Sequence, residues 1–206
     1  MRPEEPTTTY KAITDARAIA PLLMTMIARD HGVHIAQPAF LPYLPSRTTS
    51  IEDDLLYGEF IPIGKAGRVR MNAEMEMDEV RLSMCVAHEL WHAGMYQHNP
   101  KYRKRYAEPG IIYDALDEGV ALHGEIASLR SLAIEKGDQR YARAADETAQ
   151  WAPRAFGKAF RKYRHGYRAV RGLLRNGWTL ARIVREQDQA IAQTRSTLLK
   201  AGLGQR

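Results

Sequence analysis

Cysteine is nearly absent from this sequence, and its scarcity excludes two kinds of structure. The 206 residues contain one cysteine, Cys85. A single thiol cannot form an internal disulfide framework, and it cannot supply a metal site built from cysteine ligands. Any metal bound by this chain must therefore be held by histidine and carboxylate side chains, and the composition is typical of a reducing compartment.

A hydrophobic run long enough to cross a bilayer is also lacking. The longest apolar stretch near the N-terminus, around Ile19 to Ile27, is too short and too close to charged residues. The first residues, MRPEEPTTTYKAITDARA, are polar and acidic and do not resemble a secretory signal peptide. These absences predict a cytoplasmic protein without a transmembrane segment.

Acidic residues are absent between positions 148 and 185, where ten lysines and arginines occur. Charge is therefore uneven: residues 1–100 carry 9 basic and 13 acidic side chains, and residues 101–206 carry 21 basic and 11 acidic. Spacing over 152–175 predicts an amphipathic helix with one basic face. That face is either an ordinary solvated surface or a contact surface for nucleic acid, an anionic membrane or an acidic protein. Its candidate contact residues are Arg154, Lys158, Arg161, Lys162, Arg168 and Arg175.

Apolar periodicity predicts an α+β fold that is mostly helical. The expected helices cover residues 11–30, 78–97, 112–136, 138–151, 152–175 and 179–200. Two short segments, 59–63 and 68–72, flank GKAG and predict a β-hairpin ahead of the second helix, and VHIA is strand-like. We expect a first domain over 1–137 and a basic helical region, 138–206, packed on it.

The run VAHELWHAGMYQHN, residues 86–99, carries the clearest chemical signal. His88, Glu89 and His92 form an HExxH motif. Residues four apart share one face of a helix, so both imidazoles can reach a single ion. Glu89 lies about 100° round the helix, where it can act as a base without being a ligand.

His98 is one candidate for a third ligand, as in the HExxHxxGxxH pattern of metzincins. That pattern requires a glycine at position 95 for a turn, where this chain has Met95. It also requires a downstream methionine, and no methionine follows Met95. Both departures disfavour His98.

Side chains on the following helix are the other candidates. Asp114, Glu118 and Glu125 lie within about 40° of one another on a helical wheel, so one could bind the metal and another orient a ligand imidazole. Glu125 or His123 as the third ligand is a further alternative. Asp114, Glu125, Tyr113 and His123 are candidates for orienting a ligand or stabilising a transition state.

Glu118-Gly119-Val120-Ala121 matches the E-G-x-A context in which gluzincin zinc metallopeptidases carry a glutamate ligand. Together with HExxH, residues 55–130 resemble small intracellular ImmA/IrrE-type and phage-borne metallopeptidases, which also have a helix, a short hairpin and an AHELxHA-like helix. The resemblance implies a minimal zincin-like domain with one Zn²⁺ held by His88, His92 and Glu118. It also implies peptide hydrolysis in which zinc activates a water and Glu89 acts as general base and then acid. The small residues beside Glu118 are expected to let its helix approach the HExxH helix closely.

Two parts of that mechanism remain to be assigned. The candidates for an oxyanion donor are Tyr96, Tyr102, Tyr106, Tyr113 and His123. In the resembled enzymes an edge strand pairs with an extended substrate, and the candidates here are Arg68, Val69, Arg70 and Met71, in the strand ending at Asn72.

A function of another class is a zincin-fold binding protein without efficient turnover, contacting nucleic acid or an acidic partner through helix 152–175. The intact Glu89 favours hydrolysis, because a metal-binding scaffold does not need it.

Overall fold

The computed structural model describes residues 8–43, 58–72, 76–99, 111–155, 157 and 160–203, and within them the fold is α+β and mostly helical. Helix α1 (Thr8–His31) is followed by strands β1 (Ala39–Tyr43), β2 (Gly58–Ile61) and β3 (Arg68–Asn72). The remaining helices are α2 (Glu79–His98), α3 (Ile111–Lys136), α4 (Gln139–Trp151), α5 (Arg161–Arg175), α6 (Leu180–Arg185) and α7 (Gln187–Lys200). A 3-10 turn, Ala152–Arg154, follows α4.

The three strands form one small sheet in the order β1-β3-β2. β3 pairs antiparallel with β2, which confirms the predicted hairpin, and parallel with β1. Val69 in the central strand is flanked by Phe40 and Phe60, and all three are buried. The sheet contacts α2 where Met71 Sδ lies 4.0 Å from Cys85 Sγ.

Helix α2 is the central element, and most of its side chains are buried. It begins where the Asp78 carboxylate accepts a hydrogen bond from the Arg81 backbone N–H at 2.8 Å, so Asp78 is its N-cap. Trp91 is fully buried, and its indole N–H donates to Ser128 Oγ on α3 at 3.2 Å. This helix therefore has a fixed orientation against the helix that follows it.

Two glycines of α3 allow close approach by different neighbours. A Cβ at Gly119 would overlap the carbonyl group of Gly166 on α5, and a Cβ at Gly166 would overlap the carbonyl oxygen of Ala115. A Cβ at Gly124 would overlap the Trp91 indole on α2. The expectation that the small residue after Glu118 admits the HExxH helix is therefore wrong: Gly119 admits α5, and Gly124 admits α2.

Several element boundaries differ from those predicted. VHIA is not a strand, and the proline-containing segment Ala39–Tyr43, for which no strand was predicted, forms β1. The predicted helix 152–175 begins only at Arg161, because the chain leaves α4 through a 3-10 turn at Pro153, and it runs through Gly166 without a break. α3 ends at the predicted residue, where Gly137 follows it with a φ of 63°.

No helix in the described ranges combines the length and apolar character needed to span a membrane.

Candidate metal centre

The two motif histidines lie one turn apart on α2 and point at the same place. Their ring centroids are 4.9 Å apart. Glu118 of α3 reaches between them, with its Oε2 3.4 Å from His88 Nε2 and 3.6 Å from His92 Nε2. Ligand atoms of these three residues all lie within 4.8 Å of one another. The structure thus brings together the three residues that the sequence named as the preferred ligand set.

The Glu118 carboxylate is buried, and its two oxygens have different surroundings. Oε1 lies 2.6 Å from Lys162 Nζ on α5. Oε2 faces the imidazoles and, among the described residues, has no hydrogen-bond partner. A buried polar atom without a hydrogen bond costs free energy, and a cation between Oε2 and the two Nε2 atoms would remove that cost. The cluster therefore fits a metal ion bound by two nitrogens and one oxygen.

Each imidazole is oriented from behind by a carboxylate of α3. His88 Nδ1–H donates to Glu125 Oε2 at 3.0 Å, and Glu125 Oε1 in turn accepts a hydrogen bond from Thr148 Oγ1 at 2.8 Å. His92 Nδ1 lies 2.9 Å from Asp117 Oδ2. Carboxylates in this position keep the proton on Nδ1 and leave the Nε2 lone pair free for a metal.

The carboxylates make this centre strongly attractive to positive charge. Burial opposes ionisation of His88, but Glu118 and Glu125 outweigh it and raise the pKa of His88 to about 9. For His92 burial is likewise outweighed by Asp117 and Glu118, which raise its pKa well above the usual value. The pKa of Glu118 is held well below its usual range, because the imidazoles and Lys162 outweigh its burial. A bound cation would meet this same negative field.

Glu89 is buried beside the cluster, outside the set of three. The first residue of β2 lies against it: a Cβ at Gly58 would be 3.4 Å from Glu89 Cγ and 2.7 Å from Cys85 Sγ. Burial is the main reason that the pKa of Glu89 is raised, with Glu118 and Asp117 adding to it against the two imidazoles. The Glu89 carboxylate is thus close enough to interact electrostatically with the cluster, and its basicity is increased.

Helix α5 supplies two side chains to the centre. Lys162 pairs with Glu118, which outweighs partial burial and raises the pKa of Lys162. Tyr163 lies next to it, and burial together with the Glu118 charge raises the pKa of Tyr163 well above its usual range. The ammonium of Lys162, predicted as a contact for an anionic partner, binds a buried carboxylate of the same chain in this structure.

Three other predicted candidates have ordinary structural partners. His98 Nε2 donates to the His34 carbonyl at 2.8 Å, and the Tyr96 hydroxyl donates to the Gly64 carbonyl at 2.6 Å. His123 stacks on Tyr167 and donates to its carbonyl oxygen at 3.1 Å. Burial lowers the pKa of His123 to about 4. His98 and His123 are thus excluded as ligands of this cluster, and Tyr96 does not face it.

The structure places the remaining candidates outside the set of three ligands, or does not describe them. Glu125 binds the outer nitrogen of His88, so it orients a ligand instead of serving as one. The carboxylate facing His92 is Asp117, not the predicted Asp114, which is half-buried near Lys162. Tyr113 is also half-buried, outside the ligand cluster. Tyr102, Tyr106 and Lys158 lie outside the described residues.

The predicted substrate strand cannot serve as one. Arg68, Val69, Arg70 and Met71 belong to β3, which is hydrogen-bonded to β1 on one side and β2 on the other. A strand paired on both sides has no free N–H and C=O groups to offer a peptide. Of the three strands, β2 is the edge strand that lies beside Glu89.

Several cations of the predicted basic face bind parts of their own chain. Arg161 donates to the Ala201 carbonyl at 2.7 Å, and Arg168 donates to the Pro153 carbonyl at 2.7 Å. Arg154 and Arg175 are exposed. An anionic partner for this surface stays a prediction, and Arg161 and Arg168 already hold α5 in place.

Sequence reasoning passed over Asp117, Thr148 and Tyr163. Asp117 had a usable signal, because it directly precedes the candidate ligand Glu118 on a helix rich in carboxylates. Thr148 and Tyr163 had none, since they lie far along the chain and are brought in by the packing of α4 and α5 on α3.

Comparison with known proteins finds no matching family model, and neither a curated protein nor a solved structure shows significant similarity to the chain.

Proposed function

We propose that the chain is a zinc-dependent metallopeptidase of the gluzincin type. The observation that carries the proposal is the buried Glu118 Oε2, which has no hydrogen bond within the described part of the chain and lies between the Nε2 atoms of His88 and His92. The order of elements also supports it, because a helix and a hairpin precede the HExxH helix and the helix with Glu118 follows.

His88, His92 and Glu118 would hold the ion. Two imidazoles and one carboxylate are a ligand set typical of catalytic zinc, in which a fourth position stays open. When bound, zinc supplies Lewis acidity, which polarises a carbonyl and lowers the pKa of a coordinated water.

Glu89 moves the protons of the reaction. It accepts a proton from the attacking water and returns it to the nitrogen that leaves when the peptide bond breaks. Its burial and raised pKa suit both steps, because a carboxylate that is too acidic would hold the proton poorly. Asp117 and Glu125 keep the imidazoles oriented while this occurs.

β2 is the best place for an extended substrate. It is the edge strand whose first residue touches Glu89, so a peptide added along it would pass the base. A side chain at Gly58 would clash with Cys85 Sγ, so the glycine allows β2 to lie close to α2 at this point.

The proposal is tested by measuring zinc content and peptide cleavage in four proteins. Wild type and Glu89→Gln should contain one zinc per chain, whereas Glu118→Gln should lose most of it. Cleavage of a peptide library should fall by about 100-fold or more in Glu89→Gln. His98→Ala is the matched control and should retain both zinc and activity.

Three results would contradict parts of this proposal. Metal loss in His98→Ala with retention in Glu118→Gln would overturn the ligand set. Equal activity in wild type and Glu89→Gln would overturn the role of Glu89. Stoichiometric zinc without cleavage of any library peptide would favour the binding protein over the peptidase.

A further inference from the structure

Lys162 binds the one oxygen of Glu118 that does not face the histidines. Its Nζ lies 2.6 Å from Glu118 Oε1, while Oε2 faces both Nε2 atoms. The ammonium thus occupies one side of the carboxylate and leaves the other to the cluster. Nearby charges strengthen the placement: the partly buried Asp114 also attracts Lys162.

The position of this lysine is set by backbone packing. Glu118 directly precedes Gly119, which meets Gly166 with no room for a Cβ on either helix. Lys162 lies one turn before Gly166 and therefore points to the same side of α5. Arg161 binds the Ala201 carbonyl at 2.7 Å, so the start of α5 is fastened to the end of α7. The ammonium is consequently held against Glu118 by the crossing of two helices.

A carboxylate can bind a metal through one oxygen or through both, and the two modes have different consequences. Two-oxygen binding adds a ligand and fills a position that water or substrate would use. A strong charge-assisted hydrogen bond to one oxygen disfavours that mode, because the lone pairs of that oxygen are already engaged.

We propose that Lys162 is a positioning residue that keeps Glu118 a one-oxygen ligand and thereby keeps a coordination position open. The inference rests on the proposed function, since it concerns the geometry of the same ligand set. The metal affinity after loss of Lys162 distinguishes this positioning role from a merely structural one. An ammonium near a divalent ion repels it, so loss of Lys162 should not weaken metal binding even though it changes the coordination.

The experiment uses the full chain loaded with Co²⁺, whose visible absorption is stronger in four-coordinate than in five-coordinate sites. Lys162→Met should lower the absorbance per cobalt by about twofold, because Oε1 becomes a ligand. Its zinc dissociation constant, from chelator competition, should be equal to or lower than that of wild type. Lys162→Arg should restore the wild-type spectrum, because its guanidinium also donates to Oε1.

Two further proteins complete the comparison. Arg175→Met removes an equal charge from an exposed position on the same helix and should leave the spectrum and the zinc affinity unchanged. Lys162→Gln is measured alongside Lys162→Met, and the melting curve of each shows whether it is folded. A folded Lys162→Gln with the lowered absorbance supports the inference equally.

Each outcome decides a different point. A cobalt spectrum that is the same in Lys162→Met, Lys162→Gln and wild type overturns the positioning role and leaves the proposed function intact. Zinc affinity lowered by about tenfold or more in Lys162→Met without recovery in Lys162→Arg shows a structural role and also overturns it. Wild type that binds neither zinc nor cobalt overturns both proposals.

Discussion

At the scale of single residues, the contacts of the two histidine Nδ1 atoms matter to the candidate centre as much as the Nε2 atoms that face Glu118. His88 is held by Glu125, and His92 is faced by Asp117. Thr148 fixes the far oxygen of Glu125, so a residue of α4 acts on His88 through one intermediate carboxylate. The imidazole orientation that a bound metal would require is therefore set by side chains of α3 and α4.

Replacement of Glu125 by glutamine should weaken zinc binding by about 10–100-fold, because an amide is a poorer acceptor for His88 Nδ1–H. The measurement is the zinc dissociation constant by chelator competition. Glu135→Gln, at an exposed position on the same helix, is the matched control and should match wild type. Equal affinities for Glu125→Gln and wild type would show that this hydrogen bond does not contribute.

At the scale of helices, the crossing of α3 and α5 is the contact on which the centre depends. Gly119 and Gly166 touch through their backbones, and this brings Lys162 and Tyr163 to Glu118. Neither glycine has a positive φ, so their role here is size and not backbone conformation.

Gly166→Ala should lower the free energy of unfolding by about 2–3 kcal/mol, because the new methyl group must push the two helices apart. In Gly172→Ala, on the same helix, the new methyl group meets no atom of the described residues within 4 Å, so the variant should be neutral or raise stability by about 0.5–1 kcal/mol. Urea unfolding measures both. A Gly166→Ala variant as stable as Gly172→Ala would mean that the helices do not cross at this point.

Elements with a local signal were predictable from the sequence, and those that depend on distant partners were not. Periodicity and end signals, such as Asp78 before α2 and Gly137 after α3, gave these helices within a residue or two. The parallel pairing of β1 with β3 was not predictable, since AFLPY contains a proline and its partner β3 follows only after β2 in the sequence. The late start of α5 at Arg161 likewise depends on how the chain turns after α4.

The residues of the candidate site also fall into those with a local signal in the sequence and those that depend on packing. His88, Glu89 and His92 follow from spacing within one helix, and Glu118 follows from the need for a third ligand on the next. The helical wheel favoured Asp114 over Asp117, because it gives angles around α3 but not the side on which α2 packs. Asp117 is on that side and faces His92.

At the scale of the whole molecule, the centre joins parts of the chain that are far apart in sequence. Its side chains come from α2, α3, α4 and α5, and β2 contacts its base. A ligand that binds only the folded arrangement stabilises the entire fold by mass action.

Removal of zinc should therefore lower the melting temperature. At free zinc about 1,000-fold above its dissociation constant, the ion contributes about 4 kcal/mol, which for a chain of this size is about 8–16 °C. Calorimetry with and without a chelator measures the difference in melting temperature. In Glu118→Gln the chelator should change the melting temperature only slightly. A wild-type melting temperature that is unaffected by chelator would contradict metal binding by the cluster.

The contact between Lys162 and Glu118 also has a consequence for synthesis on the ribosome. A growing chain is made from its N-terminus, so the HExxH helix and Glu118 emerge before Thr148, Lys162 and Gly166. During that interval the ligands and the carboxylates behind them exist without Thr148 and Lys162, which bind Glu125 and Glu118 in the folded chain. The peptidase proposed here would thus complete the surroundings of its ligands only late in translation, when α5 docks on α3.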